Sequence, residues 1–223
     1  MMGVEDDSCL CGLLLLLDTR RENGQGIHRK TRTSRTRKAI SMTQRTYRRN
    51  IRAWYAQSTP EERAEGMAWY PEARKHVARI ACDYLLPNER VAHLIAALSP
   101  RNKWHRNLAD AERFARAYVR GQAMPSAAAF TSNARAAWAV LHDGASASGR
   151  KVESFAANLC GDEERVTVDT WAIRAATGGR VDTVSNLGEY REIARAYQAV
   201  ARELGLTPAT LQATVWVTIR NAS

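Results

Sequence analysis

From Met42 to the C-terminus one pattern repeats. Apolar residues recur at helical spacing, and each run is closed by Pro, Gly or a polar capping residue. "QRTYRRNIRAWYAQ" stops before Ser58-Thr59-Pro60. "TPEERAEGMAWY" opens on a capping box, with Thr59 as cap, Pro60 at the first helical position and Glu62 at the third. "PEARKHVARIACDYL" and "NERVAHLIAALS" follow, divided by Pro87-Asn88. The basic loop "SPRNKW" leads into "HRNLADAERFARAYVRG", which Gly121 closes. "SNARAAWAVLHDG" has Ser132 as its cap and Gly144 as its stop. "GRKVESFAANLCG" sets Val152, Phe155, Ala156 and Leu159 on one face, and "DTWAIRAATGG" begins at Asp169. "LGEYREIARAYQAVARELG" and "PATLQATVWVTIRN" complete the chain. No long stretch alternates as a strand does, and "RVTV" is the one short extended candidate. The expectation is an all-α bundle of about ten helices with short connections.

Residues 1–41 read differently. "CLCGLLLLLD" is apolar but too short to span a bilayer, and Glu5, Asp6 and Asp7 ahead of it are wrong for the start of a signal peptide. "RRENGQGIHRKTRTSRTRKAIS" has no apolar face to bury and is expected to be disordered, either as a nucleic-acid-binding arm or as a dispensable extension before a domain at 42–223. The net charge of +10 favours a polyanionic partner, with nucleic acid first, although a basic face also serves solubility or an anionic membrane. Removing the +3 of residues 1–41 leaves +7 for residues 42–223, so the domain does not owe its charge to the tail.

Cys9, Cys11, Cys82 and Cys160 show no CxxC pair and no zinc or iron–sulfur spacing, and the five histidines form no HExxH motif. No metal or other cofactor is expected. Sparse cysteine in a chain this long reads as a reducing compartment, so the expected location is the cytoplasm, at a nucleoid or in the host cell of a phage.

Two polar residues then stand out. Lys151 falls in the first turn of its helix, where the helix dipole disfavours the ammonium. Burial would act in the same direction, and a lysine with a lowered pKa is a nucleophile able to form a Schiff base. The plain alternative is a solvated lysine that contacts a phosphate or nothing. Asp169 opens the next helix. As an N-cap it satisfies a backbone N–H, and that alone would account for it. A cap can also hold a carboxylate rigidly at the mouth of a cleft, where it stabilises developing positive charge on a sugar. Between Gly144 and Gly149 the small residues of "GASASG" either bring backbone N–H groups close to a phosphate or simply join two packed helices.

These segments resemble the helix–hairpin–helix superfamily of DNA glycosylases, and within it the endonuclease III branch. In that family an "LPGVG" hairpin runs into "GRK", whose lysine is the lyase nucleophile, and the catalytic aspartate follows in "VDTH". Here "GRK" is Gly149-Arg150-Lys151 and "VDTW" is Val168-Asp169-Thr170-Trp171, with 18 residues from Lys151 to Asp169 as in that branch. "HLIAALSPRNKWHRNLADAERF" is similar to the family's early helix–loop–helix, with Leu98-Ser99 and Asn107 in matching places. The resemblance runs from about Val91 to Gly178. The chain departs from the family at the hairpin, where Ala147 replaces the first glycine, at Trp171, where the family has histidine, and in lacking the four-cysteine cluster loop.

The resemblance implies a monomeric base-excision glycosylase acting on double-stranded DNA with its target base flipped, and in some forms an AP lyase. Lys151 and Asp169 would be catalytic. Arg101, Asn102 and Lys103 would fill the gap in the DNA or grip phosphates, and Ser148, Gly149 and Arg150 would dock the backbone. Trp104 would stack on a base or pack into the core. Trp216 and the tyrosines Tyr190 and Tyr197 read as packing, and Arg174 as a partner for a carboxylate or DNA or as part of a solvated face. Three alternatives stay open: the same scaffold used in modified-base metabolism, such as that of a modified thymine, a DNA-binding module without chemistry, and a basic helical scaffold for another protein.

Overall fold

A computed structural model describes the backbone of residues 31–184 and 186–222, with side chains from residue 44 onward. Among the described residues there are nine helices and no strand: α1 (Thr31–Gln57), α2 (Pro60–Tyr84), α3 (Asn88–Leu98), α4 (Trp104–Val119), α5 (Thr131–Asp143), α6 (Arg150–Leu159), α7 (Thr170–Thr177), α8 (Leu187–Leu204) and α9 (Pro208–Asn221). The all-α architecture matches the sequence expectation. None of these helices is long and apolar enough to cross a membrane, and no cluster of His, Cys, Asp and Glu among the described residues could hold a metal. The leucine run and Cys9 and Cys11 lie outside the described residues.

Helix ends follow the local chemistry. The Thr59 capping box is complete: Thr59 Oγ1 accepts from the Glu62 N–H at 3.2 Å, and the Thr59 N–H donates to the Glu62 carboxylate at 3.0 Å. Gly144, Gly178 and Gly205 end α5, α7 and α8 in the left-handed region. Two expectations need correction. Two helices expected on either side of Pro71 are one, α2, which accounts for nine helices in place of ten. Proline removes one hydrogen bond and kinks a helix, but around Pro71 α2 packs closely on α9, with Tyr70 bonded to Gln212 and Trp69 against Trp216. At Gly66 the two backbones are so close that a Cβ would lie 2.4 Å from Thr214 Cα. Ser132 is not a cap, because α5 begins one residue earlier with Phe130 before it. Helix α1 starts at Thr31, ahead of the domain boundary expected at residue 42.

Two cores result. One gathers α2 to α6 around Leu94, Ile95, Leu98, Phe114 and Leu141, and the other gathers α1, α7 and α8 around Ile51, Ile193, Tyr197 and Val200. Burying each of these side chains contributes about 1.5–3 kcal/mol. Helix α9 serves both, giving Ala209 and Ala213 to the first core and Leu211, Val215 and Ile219 to the second. It is therefore buried nearly all round. The "RVTV" segment crosses between the cores. Val166, Thr167 and Val168 are buried, without a strand partner.

Candidate active site

Where the two cores meet there is an open pocket of about 380 Å³. It receives Trp69 and Tyr70 from α2, the loop after α3, Lys151 and Phe155 from α6, Asp169 and Trp171 at the start of α7, and Gln212 and Trp216 from α9. Lys151 and Asp169, predicted as a pair from sequence, line this one pocket.

Asp169 is the N-cap of α7. Its Oδ1 accepts the Ala172 N–H at 2.8 Å, so the capping role is real. Burial pushes its carboxyl up from the ordinary value, while the Ala172 N–H, the Lys151 charge and the Trp171 N–H pull it back down. Lys151 stands in the first turn of α6 and is half-buried. Burial pushes its ammonium down, opposed by the Asp169 charge. The two groups feel each other without forming a direct ion pair.

Both are positioned by a buried network. The Tyr190 hydroxyl accepts from the Val168 N–H at 3.3 Å and lies 3.1 Å from both the Arg150 carbonyl and Ser154 Oγ. It thus ties the residue before Lys151 to the residue before Asp169. Tyr190 was expected to pack and does so, but its hydroxyl also carries this link. Asn158 fixes the intervening loop, donating to the carbonyls of Asp162 (2.7 Å) and Arg165 (3.0 Å) and accepting from Thr167 Oγ1 (2.7 Å).

The wall is aromatic. Trp69 lies 5.4 Å from Trp104, 6.0 Å from Phe155 and 5.8 Å from Trp216, centroid to centroid. Trp104 packs against the first core, as one reading of it expected, and also lines the pocket. Trp216, expected in the core, is instead half-buried on the pocket wall with Arg220 over its ring. Polar groups complete the lining. Tyr70 donates to Gln212 Oε1 at 3.0 Å, and Ser99 Oγ and Asn107 Oδ1, on residues of the wall, have no hydrogen-bond partner among the described residues.

At the mouth, the loop between α3 and α4 is tightly held. Asn102 donates to the buried carboxylate of Asp110 at 3.1 Å, which also binds Arg113 and the Ala128 N–H. Arg101 adopts φ +58°, rare for a residue with a side chain, and its guanidinium lies 5.8 Å from the Phe130 ring centroid. Arg101 and Asn102 line the pocket, whereas the exposed Lys103 precedes α4 outside it. Ser148, Gly149 and Arg150 are exposed at the start of α6, also outside the pocket. The Ala147 N–H donates to His93 Nδ1 at 3.0 Å and the Gly149 N–H to Glu153 at 3.2 Å. Arg174 turns away from Asp169 and makes a bidentate pair with Asp182, at 2.6 and 2.9 Å, beneath which lies the Trp171 ring.

A model of DUF7178, a family of unknown function, matches residues 33–223. The chain belongs to this family. No curated protein and no solved structure matches it. The DUF7178 match takes in every helix that lines the pocket. Trp69, Tyr70, Gln212 and Trp216 were not singled out as site residues from sequence. They come from α2 and α9, far from the "GRK" and "VDTW" segments in the chain, and only helix packing brings them to the site.

Proposed function

We propose that this protein is a DNA base-excision glycosylase of the helix–hairpin–helix type, acting on a nucleotide extruded into the pocket between the two cores. The observation that carries the reading is the meeting of Lys151 and Asp169 in one open pocket, each shifted by burial away from its charged form. A volume of about 380 Å³ falls within the range of small-molecule sites. Aromatic walls suit a flat heterocycle, which must leave the stack before its C1′ can be reached. Arg101, held in a strained conformation at the mouth, is the residue suited to enter the space the nucleotide vacates.

In the bifunctional form, loss of a proton from Lys151 frees the Nζ lone pair. That pair bonds to C1′ as the C1′–N bond to the base breaks, and the base departs with the bonding electrons and takes up a proton. Asp169 stabilises the positive charge that develops on the sugar in between. Breaking C1′–O4′ converts the adduct to an imine, with the nitrogen's proton passing to O4′. Loss of a C2′ proton then expels the 3′ phosphate. In the monofunctional form a water polarised by Asp169 attacks C1′ instead. Both forms need Asp169, and only the first needs Lys151. Borohydride trapping on duplexes bearing uracil, hydroxymethyluracil, thymine glycol or an abasic site tests the scheme. A covalent adduct is expected with the wild type and none with Lys151→Ala. An adduct that survives Lys151→Ala removes Lys151 as the nucleophile, and base release undiminished in Asp169→Asn removes the carboxylate.

A further inference from the structure

Helix α6 has a second functional face. While Lys151 and Phe155 look into the pocket, Arg150, Glu153 and Ser154 line a separate cleft of about 400 Å³ between α6, the segment around Arg165 and α8. Four guanidiniums from three parts of the chain surround it: Arg150, Arg165, Arg191 and Arg195. Arg165 is paired with Asp162 at 3.4 Å and Arg195 with Glu192 at 2.5 Å, whereas Arg150 and Arg191 make no ion pair among the described residues. Glu153 is the one carboxylate in the lining, and it is engaged with the Gly149 N–H at 3.2 Å. Like charges gathered around one cleft repel, and an anion with several oxygens relieves that repulsion. Guanidiniums suit phosphate best, because their planar fork meets two oxygens at once.

Part of the hairpin ahead of α6 is already occupied. Docking a DNA phosphate there uses free backbone N–H groups. Here the Ala147 N–H is held by His93 and the Gly149 N–H by Glu153, and what is left is the first turn of α6, which no side chain caps. We propose that the arginine cleft adds to this docking and binds backbone phosphates of the DNA strand flanking the extruded nucleotide. The lining supports the assignment: the buried Tyr190 belongs to the cleft, and its hydroxyl holds the backbone just before Lys151 and Asp169. Helix α6 thus lines both the cleft and the pocket, with Arg150 and Ser154 next in sequence to Lys151 and Phe155. The inference rests on DNA being the ligand, but not on base excision.

The test is duplex binding by fluorescence anisotropy across a salt series, with the full chain and with an Arg191→Ala/Arg195→Ala double variant. Both residues are exposed, and a thermal melt checks that the variant is folded. Each lost phosphate contact lowers the slope of log K against log salt by about 0.9. The double variant should therefore lose roughly 2 from the slope and bind the duplex at least tenfold more weakly at the lower salt concentrations. Arg191→Lys/Arg195→Lys keeps the charge and should keep most of the slope. Slope and affinity unchanged in the alanine double variant overturn the proposal. So does an alanine variant that loses affinity for inorganic pyrophosphate but not for the duplex, which would assign the cleft to a free phosphate ligand. A wild type that does not bind duplex at low salt overturns it as well. Salt-dependent binding that needs Arg191 and Arg195, with no base released, leaves the cleft standing and removes the glycosylase reading.

Discussion

Replacing Asp169 separates the two jobs its carboxylate can do. As a cap it accepts the Ala172 N–H at 2.8 Å, and an asparagine oxygen can accept the same bond. Asn and Asp rank together as N-caps, whereas Ala at a cap costs about 1 kcal/mol. For a domain of this size that loss lowers the melting temperature by about 2–4 °C. Asp169→Ala should therefore melt lower by about this amount, while Asp169→Asn should not. The asparagine variant should melt at or above the wild type at neutral pH, because burial works against the Asp169 charge and asparagine carries none.

The pH dependence gives the sign. With the folded-state pKa raised above the ordinary 3.8, the native protein holds a proton that the unfolded chain has released. The Asp169 contribution to stability therefore falls as pH rises from the unfolded value through the higher folded value. Differential scanning calorimetry from pH 4 upward should show this decline shrink in Asp169→Asn. In single-turnover base release the same variant should lose about 100-fold or more, the scale for removing one preorganised electrostatic group. An Asp169→Asn protein that melts several degrees below the wild type would refute the desolvation argument. One that keeps its stability and also its activity would reduce Asp169 to a cap.

Two further outcomes follow from the same geometry. Adduct formation by Lys151 needs the neutral amine, whose share grows as pH rises. Because burial lowers the Lys151 pKa from 10.5, the alkaline limb of the trapping rate should level off below that value, and the raised pKa of Asp169 should place the acid limb above 3.8. Initial trapping rates against pH check both limbs. Tyr190→Phe deletes the hydroxyl that joins Arg150, Ser154 and Val168 and leaves buried groups without a partner, at a cost of about 1–3 kcal/mol. Calorimetry should show the loss, and base release should fall with it, because the backbone ahead of both Lys151 and Asp169 loosens.

What the sequence disclosed depended on how local the cause was. The Thr59 capping box, the Gly144 stop and the Asp169 cap are each set by a few neighbouring residues, and all three stand where the pattern put them. Pro71 misled because its local effect is to end a helix, and what overrides it is contact with α9, more than a hundred residues later in the chain. Trp216 misled for a similar reason. Its spacing fits an apolar stripe, and only the crossing of α9 over α2 shows that this part of the stripe faces a pocket. Lys151 and Asp169 could be paired in advance because their spacing matched a known pattern, whereas nothing local tied them to Trp69 or Gln212.

Both Asp169 and Lys151 are costly where they stand. A cap at position 169 would be served as well by asparagine, without a buried charge. The first turn of α6 gains nothing from a lysine, since the helix dipole opposes it there. The fold nevertheless sets both ionisable groups in one partly enclosed pocket and leaves them without the direct ion pair that would offset their desolvation. It then supports both with a single buried tyrosine and seats them on helices from different cores, joined through α9. On the proposed reading, a reactant that meets a neutral amine on one side and a carboxylate on the other would offset that cost.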